Sequence, residues 1–215
     1  MNNLNGPYQE NSTNLIYQLL FCDDAGLLRK GISIPYEYPY DILLSENPTL
    51  DELKQLVEDT ALDTRLKVYA YKKLHAAGIT LKDKILLAVI VEVGLDNGLD
   101  VLASFGDGTA RYLNHSGKIL VWESTGDEKC NELTRLLFTC SETIVRQIGP
   151  WNHARRPHPT KGNVRLSFLV SDGLYFGEGP IDVLFQDQLA APTLQAATQL
   201  MIYLTEKSMG AEKRA

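Results

Sequence analysis

The stretch Ile85–Glu123, ILLAVIVEVGLDNGLDVLASFGDGTARYLNHSGKILVWE, decides the fold. Its short apolar-rich runs are separated by Asn97-Gly98, Asp107-Gly108 and Ser116-Gly117. Such pairs tolerate positive φ, which a tight hairpin needs if its twist is to match its strands. The stretch therefore predicts a four-stranded antiparallel meander.

Downstream, Asp127 is placed to cap the strongest helical pattern in the chain, with Leu133, Leu136, Leu137, Cys140 and Ile144 in one stripe. That helix should end near Ile148, before Gly149-Pro150. A second hairpin follows in VRLSFLVSDGLYFGEG, turned at Asp172-Gly173. After the short run IDVLFQD, Pro192 opens a last helix bearing Leu194, Ala197, Met201 and Leu204.

Upstream, Leu50, Leu53, Leu56 and Val57 recur at helical spacing behind Thr49 or Ser45. A second helix runs from about Asp63, with Leu66, Tyr69, Ala70 and Leu74 on one side and Gly78 just past its end. Two such short helices bury little alone, so this helical hairpin should lie against the meander. The segment 23–48 carries Pro35, Pro39 and Pro48 and reads as extended or irregular, with Tyr36, Tyr38 and Tyr40 covering the flank of the core or, as the less favoured reading, lining a partner groove or ligand mouth. Before it, the cap-like Asn11-Ser12-Thr13 precedes a short helix in NLIYQLLFC.

Strand runs joined by hairpins and followed by helices indicate an α+β fold. The expectation is an antiparallel sheet of about six strands, a four-stranded meander plus a hairpin, packed by long helices on one face, with an N-terminal helical hairpin. A single domain over 1–215 is expected, with 1–11 a loose lead-in and 208–215 a frayed tail.

Composition bounds the function. A chain of 215 residues with 44% hydrophobic and 22% charged content is that of a globular protein. A net charge of −6 argues against a general nucleic-acid binder. No run is long enough for a membrane span, the polar N-terminus has no secretory pattern, and three cysteines with no close pairing suit a reducing compartment. A cytoplasmic location is the expectation, and no motif calls for a cofactor.

One segment stands out. Between Arg146 and Arg165 the chain carries Arg155, Arg156 and Lys161 with no acidic residue, interspersed with Trp151, His153 and His158. Paired arginines can fork onto a phosphate or carboxylate, and an indole can stack on a ring. Arg155, Arg156, Lys161, Trp151, His153 and His158 are therefore the candidate anion site. The plainer alternative is a solvated loop whose cations pair with neighbouring carboxylates. His153 and His158 are five apart across Pro157 with no cysteine or carboxylate cluster beside them, which argues against a metal site.

Three functions remain open. The favoured one is a non-catalytic protein-interaction module of the adaptor or immunity type, with another protein or a second copy as partner. The second is a phosphate- or small-anion-binding module. The third is an enzyme whose site assembles only in three dimensions, around residues such as His153, His158 and Asp172.

Overall fold

Gly98, Gly108, Gly117 and Gly173 hold φ values of 145°, 85°, 84° and 145°. An added Cβ at Gly98 would lie 2.7 Å from the His115 carbonyl oxygen, so both conformation and space demand glycine there. In the computed structural model, which describes residues 6–79, 83–124 and 126–212, these reversals join the strands of a single antiparallel sheet. The meander is β1 Leu86–Leu95, β2 Gly98–Phe105, β3 Ala110–Leu113 and β4 Ile119–Trp122. The second hairpin is β5 Asn163–Val170 and β6 Gly173–Pro180. The spatial order is β4-β3-β2-β1-β5-β6, so the two hairpin units meet along β1 and β5.

Alternation along the strands gives the sheet two buried faces. Val89, Val91, Val164, Leu166 and Phe168 face α5 Glu128–Val145 and α7 Ala190–Glu212. Ala88, Ile90, Val101, Ala103 and Phe105 face α1 Asn11–Leu19, α3 Leu50–Glu58 and α4 Thr64–Ala76. A 3-10 helix, Ala25–Gly31, and the short helices α2 Tyr40–Leu43 and α6 Ile181–Leu184 complete the elements, so segment 23–48 is partly helical rather than extended. The fold is α+β with a six-stranded antiparallel sheet, as the sequence indicates. The long helices share one face as expected. The helical hairpin α3–α4 covers the other face, so the sheet is sandwiched.

Local signals explain several helix ends. Thr49 and Glu52 form a reciprocal capping box at α3. Asp63 accepts from Arg65 N at α4, and Asp107, from the β2–β3 turn, accepts from Thr64 N at 2.8 Å. Gly78, at φ 78°, closes α4 with its N–H on the His75 carbonyl. Asp127 accepts from Cys130 N at the start of α5.

Two further expectations are corrected. The apolar stripe of α5 is rotated: Leu133, Leu137 and Ile144 are buried, but Leu136 is exposed, and Thr134 and Ser141 take the inward positions. Ser141 is tolerated there because its hydroxyl donates to the Leu137 carbonyl at 2.7 Å. Among the described residues no side chain caps α1, which starts at Asn11; instead Asn14 turns back to bond both the N–H and the carbonyl of Tyr8. Within the N-terminal segment Tyr8 is buried and its hydroxyl donates to the Leu99 carbonyl at 2.9 Å; residues 1–5 lie outside the described residues. The tail is helical through Glu212, and 213–215 lie outside the described residues.

Candidate functional site

Glu92 interrupts the most apolar strand of the sheet. It sits on central β1 with no exposure, on the face shared with Ile90 and Ala88. Its cross-strand neighbour on β5 is Arg165, and the neighbour of Arg165 on β6 is Glu178. Three adjacent strands thus place a carboxylate, a guanidinium and a carboxylate in a row. Arg165 Nε and Nη2 donate to Glu178 Oε2 at 2.9 and 2.6 Å. Its Nη1 lies 3.7 Å from Glu92 Oε2, an ion contact longer than a hydrogen bond. Glu92 Oε1 instead accepts from the Tyr17 hydroxyl of α1 at 2.5 Å.

The segment 151–162 covers this row. It brings backbone carbonyls with no strand or helix to satisfy them, and Arg165 supplies the donors: Nη1 to the Arg156 carbonyl at 3.2 Å and Nη2 to the Pro157 carbonyl at 2.6 Å. The segment closes down on β1 at Gly94, whose carbonyl accepts from Gly162 N at 2.9 Å. A Cβ on Gly94 would lie 2.2 Å from the Thr160 carbonyl oxygen, so that approach requires glycine.

The electrostatics follow from burial. Desolvation pushes the Glu92 carboxyl up from its ordinary value, against the Tyr17 hydrogen bond and the charges of Arg165, Arg155 and His158. Burial, and then the Glu92 charge, push the Tyr17 hydroxyl up as well, so it stays a donor. For Arg155, burial works against the charged form, but Tyr17, Asp23 and Glu92 outweigh it and hold the guanidinium firmly protonated. Its Nε donates to Asp23 Oδ2 at 2.7 Å, its Nη1 to the Tyr17 hydroxyl at 3.3 Å, and its Cζ lies 3.8 Å from the Phe21 ring centroid.

The sequence candidates therefore divide. Arg155 is built into the body through Asp23, Tyr17 and Phe21. Lys161 is exposed and paired with Asp96. Arg146, at the head of the basic stretch, is paired with Glu142. Trp151 donates from its indole to the Ala154 carbonyl at 3.0 Å and packs edge-on against His153 and Phe176. Arg156 lies over the Trp151 and Phe176 rings at 5.1 and 5.5 Å. His158 is exposed, with Nδ1 3.3 Å from the Pro159 carbonyl. Asp172 is engaged by Tyr175 and Lys84, and among the described residues no hydrogen bond joins it to His153 or His158. No group of three or more metal-ligating side chains gathers among the described residues.

Arg155, Arg156 and His158 do meet, with Pro7, Tyr17 and Gln18, around an open cleft of about 550 Å³ between the N-terminal segment and the 151–162 segment. Tyr17, Asp23, Glu92 and Glu178 carry no motif and escaped sequence reasoning. Glu92 alone left a signal, as the one charge inside LLAVIVEVGL.

Beside the cleft runs the sheet edge. Trp151 N donates to the Leu174 carbonyl at 2.7 Å, so even-numbered residues of β6 turn their backbone groups away from β5. The backbone groups of Phe176 and Glu178 consequently face outward, and they make no hydrogen bond among the described residues. No family model matches the chain, and no curated protein matches it.

Proposed function

We propose that this protein is a non-catalytic interaction module that binds an extended segment of another polypeptide along the β6 edge. The observation that carries the reading is the outward-facing pair Phe176 and Glu178, flanked by a rung already made by Trp151 on Leu174. An added strand gains main-chain hydrogen bonds from such an edge, and neighbouring side chains select it. The opposite edge, β4, offers four residues, which is short for strand addition.

A second copy fits this edge poorly. Antiparallel pairing of β6 with itself through Phe176 and Glu178 sets Glu178 or Pro180 of the copy against Leu174, where Trp151 already sits. Moving the register on sets two Glu178 residues opposite one another, and like charges so placed repel. A free peptide strand carries neither obstacle.

The free protein should show the alternation directly: amides of Phe176 and Glu178 exchange quickly, those of Tyr175 and Gly177 slowly. Short peptides selected from a display library should then protect the Phe176 and Glu178 amides. Phe176→Pro, which removes an outward N–H without touching the β5 ladder, should abolish their binding. Unprotected amides in every selected complex, equal binding by Phe176→Pro, or protection arising only from a dimer seen by light scattering would each overturn the reading.

A further inference from the structure

We infer that the cleft between α1 and the 151–162 segment binds the phosphoryl group of a small phosphorylated metabolite, with Arg156 as its principal ligand. The inference does not rest on strand addition at the β6 edge, although both use Phe176.

It starts from sorting the cations of the basic segment by what neutralises them. Arg146 has Glu142, Lys161 has Asp96, Arg155 has Asp23, and Arg165 has Glu178 and Glu92. Arg156 makes no ion pair or side-chain hydrogen bond among the described residues. It is nevertheless held in place. Its carbonyl is anchored by Arg165 Nη1, and its guanidinium rests on the Trp151 and Phe176 rings. Stacking occupies the face of a guanidinium and leaves its N–H edge free, the edge that forks onto two oxygens of one anion.

Arg155 stands on the same cleft. Nε and Nη1 are taken by Asp23 and Tyr17, which leaves Nη2 without a protein acceptor among the described residues. A phosphoryl group offers three terminal oxygens and a second negative charge, so a fork from Arg156 and a single bond from Arg155 can each take separate oxygens. With Asp23 as the counter-charge of Arg155, Arg156 remains as excess positive charge on the cleft wall. His158 and the Gln18 amide add hydrogen-bonding groups, and about 550 Å³ accommodates a group of sugar-phosphate size.

The test titrates the full chain with inorganic phosphate, a pentose phosphate and succinate at constant ionic strength, read by amide chemical shifts. Phosphate should give saturable shifts at Gln18, Arg156 and His158, and the pentose phosphate should bind more tightly. Arg156→Gln should weaken both by about tenfold, the effect of losing one charge-assisted fork, with an unchanged melting temperature. Arg146→Gln, removing an exposed cation elsewhere, should leave binding as in the wild type. Shifts that never saturate, an equal response in the Arg156→Gln and Arg146→Gln proteins, or tighter binding of succinate than of phosphate would each overturn the assignment.

Discussion

One face of the sheet is covered in two ways, and the halves differ in chemistry. Over β2, β3 and the Ala88–Ile90 part of β1 lie helices, whose backbone groups are satisfied internally, and the strands beneath present Ile90, Leu99, Val101, Ala103 and Phe105, together with the buried Arg111 that pairs with Glu123 at the β4 end. Over β5 and β6 lies the 151–162 segment, which has no such ladder, and the strands beneath present Arg165, Phe176 and Glu178. A helix delivers hydrocarbon. A loop delivers carbonyls that need donors, the donor here is a guanidinium, and a buried guanidinium needs carboxylates. The polar row at Glu92 follows from what covers it.

Two carboxylates, Asp107 in the helix-covered half and Glu92 in the other, are shifted in opposite directions. Burial works against ionised Asp107 too, but the Thr64 and Thr109 hydrogen bonds outweigh it and hold its carboxyl below the ordinary value. At Glu92 burial wins and the carboxyl is pushed up. The difference lies in donors: Asp107 collects two backbone N–H groups and a hydroxyl, Glu92 one hydroxyl, and its Oε2 takes no hydrogen bond among the described residues.

The hardest blow to the loop-covered half is Arg165→Met. It strips Glu92 of its nearest cation and orphans two carbonyls, and should cost about 3–5 kcal/mol in urea unfolding at neutral pH. A loss under about 1 kcal/mol would mean the row is not what holds the segment down. Next comes Gly94→Ala, whose Cβ meets the Thr160 carbonyl; it should cost about 1–3 kcal/mol and open 151–162 to protease. Gly149→Ala, with nothing within 4 Å of its Cβ, serves as the control.

The pH dependence gives the smallest effects and the sharpest contrast. Native Glu92 takes up its proton at higher pH than the unfolded chain, so wild-type stability falls as pH rises from the ordinary value of 4.5 through the raised one. The advantage of Glu92→Gln over wild type should therefore grow with pH across that window, by no more than about 1.4 kcal/mol per unit. Asp107 has the reverse sign: its contribution is full above the ordinary value of 3.8 and disappears as pH falls through the lowered one. Asp107→Asn should cost about 1–2 kcal/mol at neutral pH, and less in acid. Urea titrations across pH would expose parallel slopes, which would erase the contrast between the halves.

The legible part of the molecule was the part governed by local chemistry. Gly98, Gly108, Gly117 and Gly173 announce the reversals, Thr49 and Asp63 the helix starts, and Gly78 a helix end, because each acts within a few residues of itself. The α5 stripe was misread at Leu136 because two flanking elements, β1 and α7, set which side faces inward. The basic segment was legible as a concentration of charge, but not which cation stays free. Asp23 and Arg155 are 132 residues apart and Tyr17 and Glu92 75 apart, and no period or motif links them.

The chain's own pattern of glycines, alternation and caps thus settled an α+β sheet of two hairpin units and named the segment around Arg156. Tertiary structure alone decided that the sheet is covered on both faces, that Glu92 lies beneath the 151–162 segment, and which backbone groups of β6 face outward. Turn and strand preferences are written in neighbouring residues, whereas the neutralisation of a charge depends on whatever distant side chain folding brings within a few ångströms of it.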